Sequence, residues 1–352
     1  MVAFTTFVAL FAAAGMHGVY AIPLAHKHQP RHEHDLALTK RVDYSFNQLV
    51  VFGDELSDNG NGSYAHGITD NPANVYGFGT WTNGPVAVSY LANLLGVRHR
   101  NLAWGGCCGG GSYGATIDND YTQAAAEWKG APVPSVHDQI YNNYSNSNPN
   151  VHNALQLIWV GENDLSKHTD AFWEGDPQNS DFATQIADKL LADAEYLIGD
   201  QGAPYVMVAN IYPKHKAPVT TTYLCPDGSC VETWGKVIQS ANAAIEKALA
   251  SSSYANQIIY YDVFGFMTDL MENKDAAGLT QPLTYYCDGD GSDENCHWDE
   301  CISGSHVWDG AESFFWMNYI QPTTHVHRLI AHDMKKTIDT FLTSYKSMAT
   351  FD

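Results

Sequence analysis

Basic residues are scarce in this 352-residue chain: 18 Lys and Arg stand against 39 Asp and Glu, for a formal charge of −21. Such a balance repels phosphate backbones and anionic lipid surfaces, which argues against nucleic acid as a partner. Long apolar runs are missing too. The run from Phe4 to Ala14 falls short of the roughly 20 residues a membrane-spanning helix needs, and no later stretch approaches that length. No membrane insertion is therefore expected. Cysteine and histidine never fall at zinc-type spacings and no EF-hand loop is present, so no cofactor is expected. Residues 42 to 352 contain no internal repeat, no Gly/Ser linker and no block of like charge, and they read as one domain.

With 45% hydrophobic and 12% aromatic residues, the chain has enough apolar material for a full core. Met1 to Ala21 suits a secretory signal peptide, with small or β-branched residues at Val19 and Ala21 before a cleavage point. The following stretch, 22 to 41, carries His26, His28, His32 and His34 and ends at Lys40-Arg41. It reads as a pro-segment closed by a dibasic processing site, which makes the mature protein extracellular. Seven cysteines in an exported chain imply disulfides plus one thiol. Cys225 and Cys230 bracket Pro-Asp-Gly-Ser, a turn that brings them within bridging reach. Cys287, Cys296 and Cys301 share an acidic, Gly-rich stretch, where two of them are expected to pair, and Cys107-Cys108 offer further partners. Asn61-Gly-Ser and Asn143-Tyr-Ser are glycosylation sequons.

Strand-like and helix-like segments alternate along the domain. Gln48–Phe52, Leu155–Val160, Tyr205–Ile211 and Gln257–Phe264 read as buried strands. Pro85–Leu95, Phe182–Ile198 and Val231–Leu249 have apolar residues at helical intervals. Pro322–Tyr345 reads as a closing helix with Pro322 in its first turn. This order predicts an α/β fold with a parallel sheet covered on both faces, and a site at the carboxyl ends of the strands.

Four short blocks fall at those ends in a fixed order. They are Phe52-Gly-Asp-Glu-Leu-Ser-Asp-Asn-Gly60, Asn101-Leu-Ala-Trp-Gly-Gly106, Gly161-Glu-Asn-Asp164, and Phe314-Phe-Trp-Met-Asn-Tyr-Ile-Gln-Pro-Thr-Thr324. Trp81-Thr-Asn-Gly-Pro85 lies between the first two. The ordered set resembles the GDSL, or Ser-Gly-Asn-His, hydrolases, in particular secreted fungal members of carbohydrate-esterase type, over roughly residues 46 to 335. The resemblance implies a three-layer α/β/α, flavodoxin-like fold and ester-bond hydrolysis on acetylated saccharides. It assigns the backbone N–H of Gly106 and the side chain of Asn163 to an oxyanion hole. It also places Glu55 at the nucleophile position, Asn318 at that of the acid and Gln321 at that of the base, where relatives carry Ser, Asp and His.

A serine hydrolase needs a hydroxyl, a base within reach of its proton and an acid that orients the base. Losing the whole triad costs about a million-fold in turnover. Three readings follow. The first is an esterase-like pseudoenzyme that binds a carbohydrate or an acylated small ligand. The second makes Glu55 a catalytic carboxylate in a repurposed carbohydrate-active enzyme, with Asp54, Asp58 or Asp164 as its partner. The third is residual ester hydrolysis. The pseudoenzyme reading expects the Glu55 carboxylate beside the donors of Gly106 and Asn163, with Gln321 donating to its other oxygen. Those donors are expected to lower its pKa, which tells against the second reading. Ser57, His325 and His327 read as structural residues, and Trp81, Trp104, Trp159 and Trp173 as core at least as readily as sugar platforms.

Overall fold

The segment Gln48–Gly53 is apolar on both of its faces, and every residue after Gln48 is buried. That pattern belongs to a central strand of a parallel sheet, where helices cover both sides. The computed structural model describes residues 44–62, 79–106, 114–122, 127–128, 131–147, 149–167, 178–287 and 309–348. The segments expected to be a signal peptide and a pro-segment, and Cys107, Cys108, Cys296, Cys301 and Trp173, lie outside the described residues.

In chain order the strands are β1 (Gln48–Gly53), β2 (Arg98–Asn101), β3 (Glu127–Trp128), β4 (Ala131–Pro132), β5 (Ala154–Trp159), β6 (Tyr205–Ala209) and β7 (Ile258–Tyr261). β3 and β4 form a small antiparallel pair. The other five build one parallel sheet in the order β2-β1-β5-β6-β7. Helices α1 (Ala87–Leu95), α2 (Asn119–Thr122), α3 (Glu162–Lys167), α4 (Gln178–Glu195), α5 (Val231–Ser251), α6 (Val263–Glu272) and α7 (Thr324–Met348) connect and cover it. α1 stops at Gly96, whose φ of 69° is a left-handed geometry that a residue without Cβ adopts freely.

Because side chains alternate across a strand, the sheet feeds two separate cores. Leu49, Val51, Leu155, Leu157, Met207 and Ile259 pack against α1, α6 and α7. Val50, Phe52, Ile158, Val206, Val208 and Ile258 pack against α4, α5 and the π-helical segments Asp138–Tyr144 and Tyr196–Asp200. The chain is thus an α/β protein with helices on both sides of a parallel sheet, as expected.

Several boundaries shift from the sequence reading, and one strand was not foreseen. β7 ends at Tyr261, because the Asp262 side chain accepts the Gly265 N–H and caps α6. The closing helix starts at Thr324, so Pro322 precedes it, bridged by its neighbourhood to Trp316. β2 was not expected at all: its Arg-His-Arg-Asn sequence lacks an apolar pattern, yet it pairs with β1 along its length. Cys225 and Cys230 form a disulfide with Cα atoms 5.6 Å apart. Cys287 is buried and also disulfide-bonded. Among the described residues, no helix is long and apolar enough to cross a membrane.

Candidate active site

The carboxyl end of β1 is fixed from two sides. Gly53 exchanges hydrogen bonds with the Gln139 side chain, 2.9 Å each way, and a Cβ at Gly53 would press on the Trp159 carbonyl of β5. The chain then turns through Asp54 to Asp58, with the Ser57 and Asp58 amides donating to the Asp54 carbonyl at 3.1 and 2.9 Å. Asp58 holds the next loop. Its carboxylate accepts N–H bonds from Gly60, Asn61, Gly62 and Gly105 at 2.7 to 2.9 Å and one from Trp81 Nε1 at 3.3 Å. This nest binds the first block to the second.

Glu55 emerges from that turn and meets Asn163 at the start of α3. Asn163 Nδ2 donates to Glu55 Oε2 at 2.9 Å and to the Ala115 carbonyl at 3.2 Å. The Gly114 backbone closes on the same carboxylate so tightly that a Cβ there would overlap Glu55 Oε2. The expected partnership with Asn163 is therefore present. The Gly106 part of the expectation is not: among the described residues no hydrogen bond joins Gly106 to Glu55, and the glycine that touches it is Gly114.

Behind Glu55 lies a set of buried charges. Glu162 and Lys214 form an ion pair with side chains 4% and 7% exposed, too little for water to screen them. Ser166 Oγ donates to Glu162 Oε1, and Lys214 Nζ donates to Ser166 Oγ at 2.7 Å. Asp164 accepts the Ile117 N–H and the Thr122 hydroxyl. Burial pushes its pKa up to about 7. Asp54 is raised well above the ordinary carboxylate range by burial and by the negative charge of Glu55. Glu55 itself is raised to about 7, first by burial and then by Glu162, against the pull of Asn163 and Lys214. The expectation that nearby donors would depress it is thus reversed. Removal from water and a second carboxylate outweigh one amide donor.

The last block is arranged differently. Asn318 Oδ1 accepts the amides of Ile320 and Gln321 at 2.9 and 2.7 Å, while its Nδ2 reaches the Trp81 carbonyl at 3.4 Å. It closes a turn and does not orient the Gln321 side chain. Gln321 is buried with Oε1 unpartnered, and it makes no hydrogen bond to Glu55. Thr82 Oγ1 donates to the Pro322 carbonyl at 2.7 Å and the Thr324 amide donates to Asn83 Oδ1 at 2.8 Å. Trp81–Pro85 therefore clasps the last block to the first.

Other sequence candidates have settled roles. His327 is fully buried and accepts the Ala87 N–H at 3.2 Å, and burial lowers its pKa to about 3. His325 Nδ1 lies 2.7 Å from the Glu312 carbonyl. Ser57 is buried with its hydroxyl unpartnered, so it caps nothing. Trp81 and Trp159 are buried. The Asn61 amide, one of the two expected glycan acceptors, is engaged with the carbonyls of Asn101 and Ala103 at 3.1 and 3.0 Å, whereas Asn143 is exposed. Among the described residues, no group of acidic, His and Cys side chains is placed to hold a metal.

With this geometry in place, the sequence profile of the GDSL-like lipase/acylhydrolase family matches residues 49–333. The chain belongs to the GDSL-like lipase/acylhydrolase family. No curated protein matches it. The match runs from β1 into the first part of α7 and so takes in every residue of the GDSL-like site described above. Membership supports an esterase-like function at the level of the family. Sequence reasoning missed Lys214, Ser166, Tyr212 and Gly114. Lys214 lies in no block, and the approach of Gly114 depends on how the loop before α2 returns to β1. Tyr212 is buried, and Glu162, Glu55 and Asp54, after burial itself, push its phenol up.

Proposed function

We propose that this is an extracellular esterase-like pseudoenzyme, which binds a carbohydrate or an acylated small ligand and has given up serine-ester hydrolysis. The observation that carries this reading is the 2.9 Å contact of Asn163 Nδ2 with Glu55 Oε2, with Gly114 closed against the same oxygen. A donor suited to a developing oxyanion is already engaged by the protein's own carboxylate. The arrangement of Asn318 supports the same conclusion, since a side chain closing a turn cannot orient a base, and Gln321 supplies no basic lone pair.

The test is an esterase assay of residues 42–352 on short-chain aryl esters and acetylated xylan, beside the triple variant Glu55→Ser, Asn318→Asp, Gln321→His. The natural protein is expected to be silent and the triple variant active, while Glu55→Ser alone stays silent. Turnover by the natural protein that survives Glu55→Gln would overturn the reading.

A second reading is favoured by one observation, the raised pKa of Glu55. A carboxyl group at about 7 is half protonated at neutral pH and suits a general acid on a glycosidic oxygen. Loss of saccharide cleavage in Glu55→Gln, with folding intact, would favour this reading over the first.

A further inference from the structure

After β6 the chain passes Lys214, in the charged corner behind Glu55, and then forms the π-helical segment Val219–Leu224. That segment is tied at both ends. Thr220 Oγ1 donates to the Lys214 carbonyl at 2.8 Å, and the Cys225 amide donates to the Thr220 carbonyl at 2.8 Å, where the Cys225–Cys230 disulfide begins. The Val219 amide donates to the Tyr319 carbonyl at 2.8 Å, which joins the segment to the Asn318–Gln321 turn. The two pieces of chain that meet here therefore each reach the GDSL-like site, one through Lys214 and the other through Gln321.

Three large apolar side chains stand exposed among the described residues, and all three lie at this junction: Tyr223 at 45%, Leu224 at 56% and Tyr319 at 42%. Exposed apolar residues scattered singly are ordinary, whereas a cluster of them marks a surface with a use. The rings are also held in place. Tyr223 and Tyr319 meet edge to face, with centroids 6.2 Å apart and planes at 74°, and the Tyr223 hydroxyl lies 2.5 Å from that of buried Tyr286. An edge-to-face pair masks less ring surface than a stack does, in keeping with the exposure of both rings. Their fixed pose lowers the ordering cost of binding.

We propose that Tyr319, Tyr223 and Leu224 form the outer wall of the GDSL-like site and bind a neutral saccharide there, which rests on the reading of that site as a ligand-binding site. Tyrosine rings pack against the C–H faces of a pyranose. The chemistry around them is uncharged: residues 217–226 and 313–324 contain no Asp, Glu, Lys or Arg. An anionic ligand finds no cation in either segment. Gln321 Oε1, buried and unpartnered, is an acceptor suited to a sugar hydroxyl, and a bare acyl chain would leave it unsatisfied. Such a chain would also find Leu224 as the one strongly exposed aliphatic side chain among the described residues. A second copy of the protein fits poorly, because a standard interface takes roughly 20–30 residues a side.

The test is calorimetric titration of the purified protein with xylohexaose, cellohexaose and N-acetylchitohexaose, with polygalacturonate and octanol as controls. At least one hexasaccharide is expected to bind saturably, about ten-fold more weakly in Tyr319→Ala, about three-fold more weakly in Leu224→Ser, and within about two-fold in Tyr319→Phe, which keeps the ring. Leu224 is the most exposed of the three, so Leu224→Ser keeps the test decisive should Tyr319→Ala fold poorly. The wall is overturned if no hexasaccharide binds, if binding is unchanged in Tyr319→Ala and Leu224→Ser, if Tyr319→Phe is as weak as Tyr319→Ala, or if either control binds more tightly than every hexasaccharide. Aryl-ester turnover, measured on the same samples, judges the pseudoenzyme reading separately. Turnover alongside Tyr319-dependent saccharide binding would remove the loss of hydrolysis and leave the wall in place.

Discussion

The two halves of the GDSL-like site have diverged in opposite directions. At the ends of β1 and β5, Glu55, Asp54, Glu162, Asp164 and Lys214 crowd charge into a buried corner, and the pKa values of Glu55, Asp54 and Asp164 are raised accordingly. At the Asn318–Gln321 turn the side chains are neutral, and Asn318 serves the backbone of its own turn. A site that holds charge out of water is coupled to everything around it. A neutral turn stabilised by its own amides is nearly independent. Substitutions in the first half should therefore act strongly and non-additively, and those in the second weakly and alone.

The largest effect is expected at Lys214. Lys214→Met leaves Glu162 buried without its cation and should cost about 3–5 kcal/mol of unfolding free energy, measured by urea denaturation. A loss under 1 kcal/mol would mean that the charged corner is not coupled. Next is Gly114→Ala, which places a methyl group on the Glu55 carboxylate and should destabilise by about 1–3 kcal/mol. In a Glu55→Ala background most of that loss should vanish, and an equal loss in both backgrounds would remove Gly114 from the site.

A pH effect of similar size follows from the raised carboxylates. Folded Glu55 keeps its proton up to about 7, while the unfolded chain releases it near the ordinary 4.5. The folded state binds more protons across that window, so this contribution is greatest below 4.5 and falls away as pH rises through 7. Glu55→Gln should flatten the stability profile between those pH values by about 1–3 kcal/mol, leaving the parallel contribution of Asp164. An unchanged slope would show that Glu55 titrates normally. The smallest effect belongs to the turn: Asn318→Ala removes the acceptor of two amides and should cost about 1 kcal/mol, with Asn318→Asp within 0.5 kcal/mol of the natural protein.

Much of the frame was legible because buried parallel strands are continuous apolar runs, as in Leu155–Val160 and Tyr205–Ile211. The meeting of Glu55 with Asn163 was legible too, since both follow strands that proved to be neighbours. Other features arise only when distant segments meet. The Glu162–Lys214 pair joins residues after β5 and after β6, and nothing local in Pro213-Lys214-His215-Lys216 distinguishes the lysine that is buried. The pKa of Glu55 was misjudged in sign because sequence counts donors but not the water that folding removes. The extra residues after β7 misled for a simpler reason, that Val263 and Phe264 continue an apolar run across the Asp262 cap.

β2 escaped notice for lack of apolar residues, and that lack has a use. In the order β2-β1-β5-β6-β7 it is an outer strand among the described residues, with one side of its backbone paired to no other strand. An unpaired strand edge invites a second chain to add to it. Arg98 and Arg100 put positive charge along this rim, and Arg100 is further drawn over the Tyr144 ring at 5.0 Å and bonded to Ser147 Oγ at 2.9 Å. A like edge brought alongside would set arginines against arginines. The polar strand that hides from pattern reading thus also guards the sheet against growing from one molecule into the next.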